Sequence, residues 1–143
     1  MRTTPQTYAI TIVCAQRLRL LRPLPQAEAA LTTLLRYRME QRYLLHGFVI
    51  MPDHLHLALT PPVSLEQTVG IIKGGMSFVL RKSYKGPIWQ YGYYSHRIRD
   101  AQDYAGQIGY IAKNPERKGW QEYGYVHTRN TEHLDPMPPH LGG

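Results

Sequence analysis

Residues 43–60 read YLLHGFVIMPDHLHLALT, and the reading of this stretch decides the fold. Apolar, strand-favouring residues lie on both sides of Met51-Pro52-Asp53. Pro presets φ for the first central position of a turn, and Asp can satisfy local backbone amides. The pattern therefore predicts strands Tyr43–Met51 and His54–Thr60 joined at Pro52-Asp53. A two-residue loop pairs Met51 with His54 and Val49 with His56. Side chains alternate across a strand, so His54 and His56 share a face with Leu45, Gly47, Val49 and Met51. Leu55, Leu57 and Leu59 take the other face with Leu44, His46, Phe48 and Ile50. On this register His46 is a core-side or edge histidine and not a third partner of the pair.

Working outward, Tyr8–Cys14 (YAITIVC) is rich in strand formers. After the turn-like Arg22-Pro23-Leu24-Pro25, Gln26–Arg42 reads as a helix with Leu31, Leu34, Leu35 and Met39 as its apolar stripe. Ser64-Leu65-Glu66-Gln67 resembles a capping box and opens a helix through Leu65, Val69, Ile72, Met76 and Leu80. Arg81–Pro87 is a basic connector. Ile88–Arg99 reads as a strand region with a bulge at Gly92. Asp100 caps a last helix, Ala101–Lys113, expected to stop before Asn114-Pro115 because a residue preceding Pro disfavours α geometry. The tail from about Gln121 reads as irregular or ordered by a partner. The order β-α-β-β-α-β-α is α+β, and its first six elements match a ferredoxin-like βαββαβ antiparallel sheet with both helices on one face. The leucines claim the covered face, so the two histidines are expected on the open one. One domain spanning residues 1–143 is expected.

The chain carries +7 at pH 7 with a pI near 9.7. Nine Lys and Arg stand against three acids between Lys73 and Lys118, so +6 of the net charge lies in that window. Segregated charge of this kind points to a polyanion, most simply nucleic acid. Lys73, Arg81, Lys82 and Lys85 are candidate phosphate contacts, with Arg97, Arg99 and Lys113 further along. Trp89, Tyr91, Tyr93 and Tyr94 could stack on bases or fill the core, and alternation puts Tyr91 and Tyr93 on one face and Tyr94 on the other. No run of about 18 apolar residues exists to span a membrane. The single cysteine, Cys14, cannot form an internal disulfide. It sits in an apolar run as a buried thiol, which fits a reducing cytoplasm.

Two imidazoles two residues apart can place two nitrogens on one metal ion, for which zinc is the first expectation. Tyr110 and Asn114 lie four residues apart on the last helix, hence on one side of it. A phenol is an uncommon nucleophile, useful where a metal activates a phosphodiester and a covalent intermediate conserves bond energy. Tyr104 lies about 240° round the helix from Tyr110 and cannot readily replace it.

MPDHLHLAL, then GPIWQYGYYSHRIRD, then YIAKNPERKGW together resemble the HUH single-tyrosine transposase superfamily, most of all its REP-associated, IS200-like branch. The resemblance runs from about Tyr8 to Trp120. It implies that Tyr110 is the nucleophile and that Asn114 completes a metal site with His54 and His56. It implies a divalent cation, Mg²⁺ or Mn²⁺, and attack on single-stranded DNA that leaves a 5′-phosphotyrosine and a free 3′-OH. It further implies recognition of a DNA hairpin and a homodimer. Glu116-Arg117 departs from the family, whose members commonly have an apolar residue followed by a basic one there.

Two other readings remain open on sequence alone. A non-catalytic nucleic-acid-binding module on the same fold would use the basic window and the aromatics but not the His, Tyr and Asn set. A zinc hydrolase would need an acidic general base beside the pair, and Asp53, if already in the strand, is directed to the other face. Gly106 and Gly109 in the nucleophile helix imply either a helix that moves or approaches DNA closely, or close packing against the sheet.

Overall fold

The hairpin forms with the expected register: Met51 faces His54, Val49 faces His56 and Ile50 faces Leu55. A computed structural model describes residues 5–22, 24–117, 126–127 and 133–142. In chain order its main elements are β1 (Thr7–Val13), α1 (Leu24–Met39), β2 (Leu44–Met51), β3 (His54–Thr60), α2 (Leu65–Leu80), β4 (Tyr94–Ile98), α3 (Ala101–Arg117) and the two-residue β5 (Val126–His127). The strands order β4-β1-β3-β2-β5, with antiparallel neighbours throughout. The first four give the ferredoxin-like arrangement, and β5 extends its β2 edge.

Alternation separates the sheet into two faces. Ile10 and Ile12 of β1, Phe48 and Ile50 of β2, and Leu55, Leu57 and Leu59 of β3 pack with Ala30 and Leu34 of α1 and Val69, Ile72, Met76 and Leu80 of α2. Ser64 caps α2 by accepting a hydrogen bond from the Gln67 amide. α1 ends earlier than Arg42 because Gln41 adopts a left-handed φ of 61°. The Gln41 amide then bonds to the Arg38 carbonyl and the Arg42 amide to the Tyr37 carbonyl. This is a Schellman closure, reached here without the glycine that usually signals it.

The histidine face is not open. Ile108 and Ile111 of α3 pack on Val49, Met51 and Ala58, and Tyr104 joins Ala9, Ile98 and Leu141 further along the same face. α3 therefore lies against the sheet as a third helix, opposite α1 and α2. Asp100 caps it by accepting from the Asp103 amide at 2.8 Å. The helix also continues through Pro115 to Arg117 and does not stop at Lys113. A proline this close to a C-terminus forfeits one backbone bond, and Asn114 immediately before it is buried.

Three further expectations are corrected. The register of β2 against β3 shifts between Leu45 and Gly47. A bulge of this kind returns Leu45 to the leucine core and turns His46 to the α3 face. There the His46 ring meets Tyr104 edge-on, with 5.9 Å between centroids. The strand region expected at Ile88–Arg99 is a true strand only over Tyr94–Ile98. Before it, Trp89 makes a single bridge to Cys14, and Gly92 takes a left-handed φ of 77° in a turn. In the tail, Asp135 receives the Arg38 guanidinium at 3.0 and 3.2 Å and the Leu45 amide at 2.8 Å. Its described parts are thus tied to the fold and not irregular throughout. Residues 1–4, 23, 118–125, 128–132 and 143 lie outside the described residues, so the expectation of an irregular tail is not met or denied there.

Candidate metal and tyrosine site

His54 and His56 open β3, immediately after the turn. That turn is held from outside the hairpin: the Cys14 amide donates to the Asp53 carbonyl and the Leu21 amide to the Pro52 carbonyl, each at 2.9 Å. Both imidazoles point to the α3 side. His54 is buried and its Nδ1 lies 2.8 Å from Asp53 Oδ1. Asp53 therefore sits in the turn with its carboxylate turned to His54, not on the opposite face. Its second oxygen lies 3.4 Å from the Arg17 guanidinium. Burial opposes ionisation of Asp53, but the bonds from His54 and Arg17 outweigh it and hold the carboxyl below its ordinary range. His54 donates through Nδ1–H in this arrangement, which leaves Nε2 to bind a cation.

His56 is oriented by a neutral partner. Its Nδ1 lies 2.6 Å from Thr11 Oγ1 on the adjacent β1. Burial, and then the charge of His54, push the His56 pKa down to about 4, so the ring is neutral at pH 7. Its Nε2 is buried and has no hydrogen-bond partner among the described residues. The same is true of Asn114 Oδ1, on a side chain only 3% exposed. Tyr110, one turn before Asn114, sets its ring 5.2 Å from that of His56 and is 40% exposed. The structure thus brings β3 and the C-terminal half of α3 together with an acceptor nitrogen and an amide oxygen unsatisfied and a phenol open to solvent.

No group of three His, Cys, Asp or Glu suited to a metal exists among the described residues. A third protein ligand beside the two histidines would have to be another donor type, and the buried, unpartnered Asn114 Oδ1 is a candidate of that type. His46 is engaged elsewhere, through Nε2 with Thr60 Oγ1 at 2.8 Å and Nδ1 with the Asp135 carbonyl at 3.2 Å. Asp53 and Thr11 were missed as partners of the histidines. Asp53 had a signal in its adjacency to His54, whereas Thr11 is placed only by strand pairing.

The basic residues divide between surfaces. Lys73, Arg81, Lys82 and Lys85 line a shallow depression on or just beyond α2, across the sheet from the histidines. Lys73 donates to the carbonyls of Gln90 at 3.1 Å and Gly92 at 2.7 Å, bracing the loop before β4. Lys85 bonds to the Arg81 carbonyl, and the Lys82 ammonium lies 6.0 Å from the Phe78 ring. Arg97 and Arg99 are exposed on and after β4, and Lys113 is exposed three residues beyond Tyr110. Tyr93 packs against the main core.

The sequence matches a family model described as "Transposase IS200 like" over residues 3–114, a span that includes all four site residues. A REP-associated tyrosine transposase of Escherichia coli K12 is 23% identical over 87 residues, which are 61% of this chain. The chain spans about half the length of that relative, 53%. Among solved structures, a REP-associated tyrosine transposase bound to a REP hairpin is similar with a TM-score of 0.74 and 20% identity, covering all of this chain and 96% of that one. A crystal structure described as a putative transposase from Deinococcus radiodurans R1 is similar at 0.58 and 18%, covering 79% of this chain and 92% of that one. The structural likenesses speak for the fold, and the family match extends over most of the sequence: the chain belongs to the IS200-like transposases.

Proposed function

We propose that this transposase is a metal-dependent strand transferase that recognises a hairpin in single-stranded DNA and cleaves beside it through Tyr110. The carrying observation is two buried, unpartnered atoms: His56 Nε2, on the ring that neighbours Tyr110, and Asn114 Oδ1, one helical turn beyond Tyr110. Leaving such a group unsatisfied costs about 1–3 kcal/mol, and two of them favour a ligand that meets both. His54, His56 and Asn114 would hold a divalent cation, Mg²⁺ or Mn²⁺. The amide oxygen suits a harder ion than zinc, while two imidazoles favour Mn²⁺ of the two. When bound, the cation supplies Lewis-acid polarisation of the scissile phosphate.

The chain's own residues do the rest. Tyr110 Oη attacks phosphorus, forming the tyrosyl O–P bond as the bond to the 3′ oxygen breaks. The phenolic proton passes to solvent and the 3′ oxygen leaves as a hydroxyl, so a 5′-phosphotyrosine remains. Attack by a 3′-OH on that ester reverses the step and joins strands without an external energy source. Half-exposure of Tyr110 suits a substrate as large as a DNA strand, and Lys113 lies within a turn of the reacting oxygen's helix position. By the same resemblance the working unit is a homodimer.

The test is a denaturing gel of the protein incubated with Mn²⁺ and labelled single-stranded DNA bearing hairpins. A covalent adduct is expected from the native chain, absent in both Tyr110→Phe and His54→Ala. Tyr110→Phe should keep DNA binding within a few fold. An adduct that persists in Tyr110→Phe would end this assignment, and binding with no adduct in any form would favour a non-catalytic nucleic-acid-binding module.

A further inference from the structure

Strand register places one more aromatic on the floor of this site. Tyr94 pairs with Thr11, Thr11 with His56, and His56 with Val49, so the four form one row across β4, β1, β3 and β2. Directly opposed residues of neighbouring strands project to the same side, and in this row it is the side of Tyr110. α3 covers the Val49 and His56 end of the row, through Ile108 and Ile111 against Val49 and Tyr110 against His56. At the other end Tyr94 is 60% exposed, and its ring belongs to no hydrophobic cluster of the described residues. Two strand spacings, about 10 Å, separate its backbone from that of His56, with Thr11 between them.

We propose that Tyr94 is a base-stacking residue that receives the nucleobase next to the phosphodiester attacked by Tyr110. This rests on the strand-transfer reading above and assigns the neighbouring subsite. Three observations support it. The row continues from His56, which lies beneath the Tyr110 ring, through Thr11 to the Tyr94 ring, so a strand that reaches Tyr110 from the side α3 leaves open runs onto that ring. No Asp or Glu occurs between Gln67 and Arg99, so the strand and the loop before it carry no carboxylate of their own, and the Asp103 carboxylate that reaches the strand is taken up by His96 and the Arg99 amide. That loop is also fixed in advance, because Lys73 holds the Gln90 and Gly92 carbonyls just before β4. An aromatic platform with a pinned approach loses little entropy on binding. Stacking tolerates any base, so Tyr94 sets position, with sequence choice left to other contacts.

The experiment uses the full chain and random-sequence single-stranded DNA carrying 5-iodouracil in place of thymine. Binding is measured at one fixed salt concentration, followed by photocrosslinking and mass-spectrometric mapping of the modified peptide. Tyr94→Ala is expected to weaken binding roughly 5- to 150-fold, the range of one lost base–aromatic stack. Tyr94→Phe should bind within about twofold of the native chain, because the ring and not the hydroxyl does the stacking. The native crosslink is expected on Tyr94. Unchanged binding by Tyr94→Ala, a crosslink mapped elsewhere, or no binding by the native chain would each overturn the proposal. The adduct gel separates the two levels. An adduct from the native chain with no effect of Tyr94→Ala on binding rejects the stacking role alone. A Tyr94 crosslink with no adduct rejects the cleavage reading and leaves Tyr94 as a DNA contact.

Discussion

Replacing Thr11 with Val should uncouple His56 from the sheet while leaving the sheet intact. The two side chains are nearly isosteric, and both are β-branched and at home in a strand. The substitution opens no cavity and removes one acceptor, the Oγ1 atom 2.6 Å from His56 Nδ1. For Nε2 to bind a cation it must present a lone pair, so Nδ1 carries the proton and donates it to Thr11. Without Thr11 Oγ1 that half-buried N–H is unsatisfied, which costs about 1–3 kcal/mol in the metal-free protein. Loss of an orienting partner of a ligating histidine typically lowers metal affinity 10- to 100-fold, or about 1.4–2.7 kcal/mol. The affinity is read from the free-Mn²⁺ paramagnetic resonance signal during titration, and stability from urea unfolding of the apo form. Thr11→Ser, which keeps the oxygen, should recover most of both. If Thr11→Val bound Mn²⁺ as tightly as the native chain, with normal stability, the bond would not be orienting a ligand. The assignment of His56 to the metal would then fall with it.

Acid should destabilise the apo protein before any carboxylate effect appears. His56 has a folded pKa of about 4 against an ordinary 6.5, so the unfolded chain binds more protons between those values. Its contribution is therefore complete above pH 6.5 and is lost progressively as pH falls from 6.5 to 4, by up to about 3 kcal/mol; His46, also lowered by burial, adds in the same direction. Urea midpoints across that range should show a flatter profile in His56→Gln, and an identical slope would contradict the assignment. A Cβ built at Gly106 or Gly109 meets nothing within 4 Å among the described residues, which removes close packing against described neighbours as their reason. Gly106→Ala and Gly109→Ala should each stabilise the helix by about 1 kcal/mol, and a fall in the urea midpoint would show that the positions are in fact crowded. Asp135→Ala should cost about 1–3 kcal/mol by stranding the partly buried Arg38 guanidinium and the Leu45 amide, measured by thermal unfolding, with no loss expected if the tail were a loose appendage.

The hairpin was legible because three signals agreed: strand-favouring runs, a Pro-Asp turn and the position of the two histidines on one parity. That agreement fixed the β2–β3 register near the turn and, with the β-α-β-β-α-β order, the strand order of the sheet. Legibility stopped where the polarity signal stopped. Both faces of β2 are apolar, so nothing in Leu44-Leu45-His46-Gly47 marks the bulge that sends Leu45 to one core and His46 to the other. Gln41 ends α1 in a conformation usually announced by glycine, so the helix stops at Met39, three residues before the end that periodicity predicts. Asp135 finds Arg38 across 97 residues of chain, a separation that periodicity cannot bridge.

The largest misreading, an open histidine face, is also the one with chemical consequence. α3 offered little warning: among Gly, Gln, Ala and Tyr its apolar contribution to that face is chiefly Ile108 and Ile111, a narrower stripe than a helix covering a sheet usually shows. Yet a pair of imidazoles on an uncovered sheet would remain hydrated, with water completing both rings. Laying α3 across them withdraws His56 Nε2 from solvent, brings in Asn114 Oδ1 equally unsatisfied, and leaves Tyr110 as the exposed member of the set. Because Ile108 and Ile111 anchor one side of the helix, Tyr110 and Asn114, four residues apart, are carried together toward His56 by the same packing. The phenol and the amide are therefore not separately placed. A change that loosens Ile111 from Val49 and Met51 would displace both at once, so the small second core beneath α3 holds the geometry of the site as well as the helix.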